Sequence, residues 1–262
     1  SPDFGIVAGL AILVLLCASL PYMSIMPRFP SFEKRHLSAS GGIGWDISTN
    51  EVFDMELNYN RVHLCGQAED VPALSHVNHG CAFYKFTLAV MRLSGQADRL
   101  PVIVPQTLLH AVPVAAGATV TVIGQLRSFN NKSGQGSRLV ISVFAHQLAL
   151  GGESPFNQIQ LSGILCRTPT LRRTPLGREI CDIILAVNRR YGRADYLPCI
   201  AWGAVAAQAA DMRTGQRLTV EGRVQSRVYT KNDNGVLTDR TAYEVSIMRP
   251  AEIEEFLVHI PR

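Results

Sequence analysis

None of the six cysteines stands two residues from another, which removes the paired-thiol spacings of zinc ribbons and redox motifs. Most of them lie in apolar runs, so they are expected to be reduced, buried, small hydrophobes in a cytoplasmic protein. Also missing are a nucleophile with an identifiable base, paired acids in a recognisable frame, and a basic helix that could enter a duplex groove. "GGIG" from Gly41 lacks the strand-to-helix context of a dinucleotide site. His76 and His79 in "SHVNHG" have a spacing that a metal could use, yet no further ligands converge on them, and a surface turn is the expectation. The chain therefore reads as a non-enzyme with no metal, no cofactor and no small-molecule substrate.

A run long enough to span a bilayer is absent as well, although one comes near. "GIVAGLAILVLLCASL", Gly5 to Leu20, is sixteen uncharged residues, against about 20 for a spanning helix. Asp3 precedes it and the basic Lys34 and Arg35 follow it, the reverse of a signal peptide. A membrane anchor with its amino terminus outside is the alternative. Residues 27–54 are rich in Pro, Ser and Gly without a sustained period, and Met55 stands just ahead of a strand pattern. Residues 1–54 thus read as an apolar segment plus linker that is either an anchor or not native to the mature protein.

What is present suits packed domains. With 262 residues, 47% hydrophobic and only 18% charged, the chain can build two cores of about 100 residues each. The net charge of +4 is mild but uneven: residues 58–150 hold seven basic and three acidic side chains, and residues 155–262 hold fifteen and eleven. Arginine dominates the last segment, which favours planar contacts to phosphates or bases.

A domain-sized repeat organises everything after the linker. Asn60, Gly66, Pro72, Leu74, Gly80, Leu88, Arg92, Gly95, Asp98 and Pro101 recur at a constant offset of 97 as Asn157, Gly163, Pro169, Leu171, Gly177, Leu185, Arg189, Gly192, Asp195 and Pro198. After one inserted residue "GATVTVIGQLRS" from Gly117 matches "GQRLTVEGRVQS" from Gly215. Glycines and prolines in register mean repeated turns, hence two copies of one fold. Each copy reads as strand, strand, strand, helix, strand, strand, with the clear helix candidate, "GAVAAQAADMRTG" from Gly203, in the second. The expected fold is all-β: two tandem five-stranded barrels of the oligonucleotide/oligosaccharide-binding (OB) type, each with at most one short helix, over residues 55–151 and 154–262.

Alternation then divides the residues of the second copy between the barrel interior and an outer face. In "RLTVEGRVQSRVY", Leu218, Val220, Gly222, Val224, Ser226 and Val228 share one side, while Arg223, Gln225, Arg227 and Tyr229 share the other. In "DYLPCIAW", Leu197, Cys199 and Ala201 line the barrel and Tyr196, Pro198, Ile200 and Trp202 face out, which puts Tyr196 and Trp202 about 20 Å apart at about 3.3 Å per residue. "VNRRYGRADYLPCIAW" adds Arg189, Arg190, Arg193 and Tyr191 in the loop ahead of that strand. Aromatics among arginines on one face are what unpaired nucleic acid requires, because bases stack on flat rings while cations follow the phosphates.

Over residues 156–250 the second copy resembles the bacterial single-stranded DNA-binding proteins. The match runs through Asn157 and Gly163, the "PTLRRTPLG" turn from Pro169 to Gly177, "LAVNR", the strand ending in Trp202-Gly203, and "VEGRVQSRVY". The resemblance implies sequence-tolerant binding of single-stranded DNA in replication, recombination or repair, with Tyr191, Tyr196, Trp202 and Tyr229 as stacking residues. It also implies a homodimer that supplies four barrels, and a nucleoid location. Phosphate contacts are expected from Arg172, Arg173, Arg189, Arg190, Arg193, Arg223, Arg227 and Lys231.

The first copy departs from the pattern. Ser94, Arg99, Pro105 and Asn131 stand where the second has its four aromatics, and Phe129 is the one aromatic on the outer parity of its "TVTVIGQLRSFN" strand, beside Arg127. Weaker contacts are expected there from Lys85, Arg92, Arg99, Arg127 and Phe129. The chain stops at "EEFLVHIPR", where the family's replicative members carry a long tail with an acidic, hydrophobic tip. The alternative is a module like the primosomal replication proteins, docking replication or primosome partners with DNA binding secondary.

Overall fold

Pro72 and Pro169 stand where the opening strand of each repeat is interrupted, since a proline has no N–H to give to a ladder. The computed structural model describes residues 59–131, 138–189, 192–233 and 236–251. The first copy runs β1 (Asn60–Ala68), β2 (Ala73–Asn78), β3 (Cys81–Met91), β4 (Ala97–Pro105), α1 (Gln106–Ala111), β5 (Thr119–Asn130) and β6 (Leu139–Leu150). The second runs β7 (Phe156–Leu165), β8 (Thr170–Arg173), β9 (Glu179–Asn188), β10 (Ala194–Trp202), α2 (Gly203–Ala210), β11 (Arg217–Asp233) and β12 (Val236–Pro250). The five expected strands become six in each copy because β2 and β8 continue the interrupted first strand as short outer strands on β3 and β9.

Each copy closes on itself in the OB manner. β1 pairs with β5 and then crosses onto β3 at Gln67 and Ala68, while β4 pairs in parallel with β6 at Val102 and Val143. β7 likewise pairs with β11 and β9, and β10 pairs in parallel with β12 at Cys199 and Val245. The crossing explains one matched glycine pair. A Cβ on Gly66 would stand 2.4 Å from the Ala89 carbonyl oxygen, and one on Gly163 would stand 2.8 Å from that of Ala186. The two interiors are filled by fully buried aliphatics and Phe86, with Leu64, Leu88 and Leu100 in the first and Ile159, Ile183 and Leu197 in the second.

The helix expected in each copy is present: α1 sits where α2 does, although its six residues are too few to show a period. Two sequence expectations need correction. The lining of β11 ends at Val224, because the β11–β12 hairpin runs on past the barrel and leaves Val228 66% exposed. Not every cysteine is buried. Cys65, Cys181 and Cys199 are, and burial pushes the half-buried Cys166 thiol up to about 11, but Cys81 is exposed just after a tight turn at His79 and Gly80.

The two barrels share one twelve-stranded sheet through antiparallel pairing of β1 with β7, from Asn60 opposite Leu161 to Cys65 opposite Phe156. Two buried aspartates, Asp98 and Asp195, stand on either side of the seam. No helix among the described residues is long and apolar enough to cross a membrane. Residues 1–58, with the apolar run and Met55, lie outside the described residues.

Candidate nucleic-acid interface

Strand pairing assembles the outer face of the second barrel row by row, because residues directly opposite one another point to the same side. One row sets Arg172, Ile180 and Trp202 abreast on β8, β9 and β10. The next sets Asp182, Ile200, Ser246 and Arg223 abreast on β9, β10, β12 and β11. The rows set Trp202 in line with Arg172 and one row from Arg223, with Ile180, Ile200, Asp182 and Ser246 buried among them.

Trp202 is its central ring. The indole is 37% exposed, and its Nε1–H donates to Ser246 Oγ at 3.2 Å, which fixes the ring orientation while leaving a face open. Ile200, expected to face solvent, has outward parity but is only 5% exposed. Arg172 forms a two-point pair with Asp182, Nε to Oδ2 at 2.5 Å and Nη2 to Oδ1 at 3.2 Å, so its position two strands from Trp202 is held. Tyr229 lies farther along the β11 hairpin with the Arg227 guanidinium 5.6 Å from its ring centroid, and Arg227 also approaches Glu244 at 3.8 Å. Tyr196 is half-buried at the seam, where its backbone N–H donates to Ser128 Oγ at 2.8 Å. Tyr191 and Arg190 lie outside the described residues.

The expected cations differ in what already holds them. Arg189 donates to both oxygens of Asp195 and to the Ser128 carbonyl at 2.9 Å, and Arg127 reaches the same aspartate at 3.3 Å from the other barrel. Arg92 pairs with Asp98 at 2.5 Å. Arg99 meets Glu69 at 2.8 Å and Arg173 meets Glu179 at 3.0 Å, both in the open. Lys85, Arg193 and Arg223 have no carboxylate within ion-pair distance among the described residues, and Lys231 is exposed on the hairpin. Burial, then the proximity of Arg92, lowers the Arg223 pKa, and burial, then Arg189, lowers that of Arg127. The seam is thus a place where cations already crowd.

On the first barrel, Phe129 is 56% exposed as its parity predicts. Other aromatics there were missed by position-by-position comparison with the second copy. Phe83 and Phe144 touch with centroids 5.7 Å apart; His76 stacks on Phe83 at 5.0 Å, and His146 meets Phe144 edge-on at 5.6 Å. His79 sits in the adjoining turn at φ 47. The parallel pairing of β4 with β6 brings Phe83 and Phe144 together, and local alternation cannot show that pairing.

The chain is similar to known proteins in sequence and in fold. A model of the single-strand binding protein family matches residues 156–251, the span of the second barrel. Single-stranded DNA-binding protein 2 of Listeria innocua is 33% identical over 103 residues, 36% of this chain and 65% of its own length. The chain therefore spans just under two thirds of that relative. Single-stranded DNA-binding protein B of Bacillus subtilis is 36% identical over 110 residues, covering 38% of this chain and 96% of the relative. The wild-type single-stranded DNA binding protein from Thermus aquaticus superposes with a TM-score of 0.58 at 26% identity, over 74% of this chain and 93% of that one. That match takes in more than one barrel's worth of sequence. With almost the whole of the Bacillus protein matched and both barrels following the Thermus fold, the chain belongs to the bacterial single-stranded DNA-binding protein family.

Proposed function

We propose that the protein binds single-stranded DNA with little sequence preference, chiefly through the second barrel, residues 154–262. The observation that carries this reading is the exposed, oriented ring of Trp202, abreast of Arg172 and one row from Arg223. Unpaired bases stack on Tyr191, Tyr196, Trp202 and Tyr229. Arg172, Arg173, Arg193, Arg223, Arg227 and Lys231 contact phosphates. Stacking is sequence-tolerant because every base has a π-face, and it contributes about 1–3 kcal/mol per base.

Two such chains would bring four barrels together, a working unit for the replication, recombination or repair of exposed strands. The test is the affinity of the Trp202→Ala/Tyr229→Ala protein for oligothymidine. A loss of about 2 kcal/mol or more, roughly 30-fold, is expected. Unchanged affinity would show that the DNA lies elsewhere.

A further inference from the structure

The row that carries Trp202 on the second barrel has a counterpart on the first. His76, Phe83 and Pro105 stand abreast on β2, β3 and β4, where Arg172, Ile180 and Trp202 stand on β8, β9 and β10. Lys85, Ile103, Phe144 and Gln125 likewise answer to Asp182, Ile200, Ser246 and Arg223. The aromatic surface has moved sideways by one strand in each direction. Trp202 has become Pro105, but the neighbours on both sides, Ile180 and Ser246, have become Phe83 and Phe144.

These rings stand on the outward side of the sheet, half-buried, with exposed His76 and His146 at their ends and the exposed ammonium of Lys85 in the Phe144 row. The platform is continuous with the seam: Gln125, opposite Phe144, accepts from Arg127 Nη2 at 2.5 Å, and Arg127 reaches Asp195, the residue before Tyr196.

We infer that Phe83 and Phe144 form a second stacking site for the unpaired bases of single-stranded DNA, so that one strand passes from Trp202 across the seam onto the first barrel. The inference rests on the reading of the second barrel given above. Flat rings on a sheet face at the repeat-related place, reached by a path through Tyr196 and Arg127, fit bases better than a protein partner. A site with Lys85 as its close cation depends on stacking more than on counterion release.

The experiment uses the full chain and two oligothymidines, one of about 10 nucleotides that one barrel can hold and one of about 40 that can reach both. Phe83→Leu/Phe144→Leu is expected to bind the short strand as the parent does and the long strand about tenfold more weakly, with the salt dependence unchanged. Oligonucleotides carrying 5-iododeoxyuridine, irradiated on the unaltered protein, are expected to crosslink at Phe83 or Phe144 as well as on the second barrel. Equal affinity of parent and variant for the long strand, with crosslinks confined to residues 154–262, would overturn the inference and leave the proposed function standing. No binding of either strand by the parent would instead sink the proposed function.

Discussion

Ser128 and Ser226 do the same work on opposite barrels. The Ser128 hydroxyl accepts the backbone N–H of Tyr196 at 2.8 Å, and the Ser226 hydroxyl accepts that of Arg99 at 2.9 Å. Their own N–H groups donate to Asp195 and Asp98 at 2.5 and 2.9 Å. The two copies thus meet as the halves of a two-fold dimer do, with residue i against j and j against i, although both belong to one chain.

Removing one aspartate should open that seam. Asp195 is 1% exposed and holds Arg189, Arg127 and the Ser128 N–H. Asp195→Ala leaves two half-buried guanidiniums and an N–H without their acceptor, so a loss of about 3–5 kcal/mol is expected in urea unfolding. A loss below about 1 kcal/mol would mean that the aspartate is dispensable.

Arginines locked to a buried carboxylate and arginines without a carboxylate at ion-pair distance among the described residues should respond differently to substitution. Arg223→Ala is expected to reduce the slope of log affinity against log salt by about 0.7 with stability nearly unchanged. Arg189→Ala, which strips Asp195 of its two-point partner, is expected to lower the unfolding midpoint and leave the slope nearly alone. Equal salt slopes for the two variants would remove the distinction.

Stability should rise from about pH 5 to pH 7. Burial, with Arg61 adding, lowers the His63 pKa beside the β1–β7 joint, and burial, with Arg127 adding, lowers that of His146. The unfolded chain therefore binds protons that the folded one resists, so stability is complete above 6.5 and is lost as pH falls below it. The urea midpoint of His63→Gln/His146→Gln should change less over this range than that of the parent; an identical pH profile would exclude these histidines as the cause.

Gly163→Val is expected to destabilise the second barrel strongly. Its Cβ would meet the Ala186 carbonyl oxygen at 2.8 Å and the Val187 side chain at 3.0 Å. Thermal unfolding checks this, and an unchanged Tm would mean that β7 can move away from β9.

The repeat made most of this architecture legible. Matched Gly66 and Gly163 mark the strand crossing, and alternation in β10 separates Leu197 and Cys199 from Tyr196 and Trp202 as the barrel does. Asp98 and Asp195 were visible as a matched pair too, but their reason lies in contacts between the copies, and neither copy shows it alone. Val228 keeps the parity of a lining residue and is exposed because the hairpin outruns the barrel. Phe83 and Phe144 escaped because their neighbourhood depends on the parallel β4–β6 pairing between segments far apart in the chain.

The chain has two tryptophans, Trp45 and Trp202, so a Trp45→Phe protein reports from Trp202 alone. Titrating it with oligothymidine is the most direct measurement of the central claim. Base stacking on the exposed indole predicts quenching of its emission that saturates with binding and weakens as salt rises. Binding with no change in Trp202 emission would contradict the account.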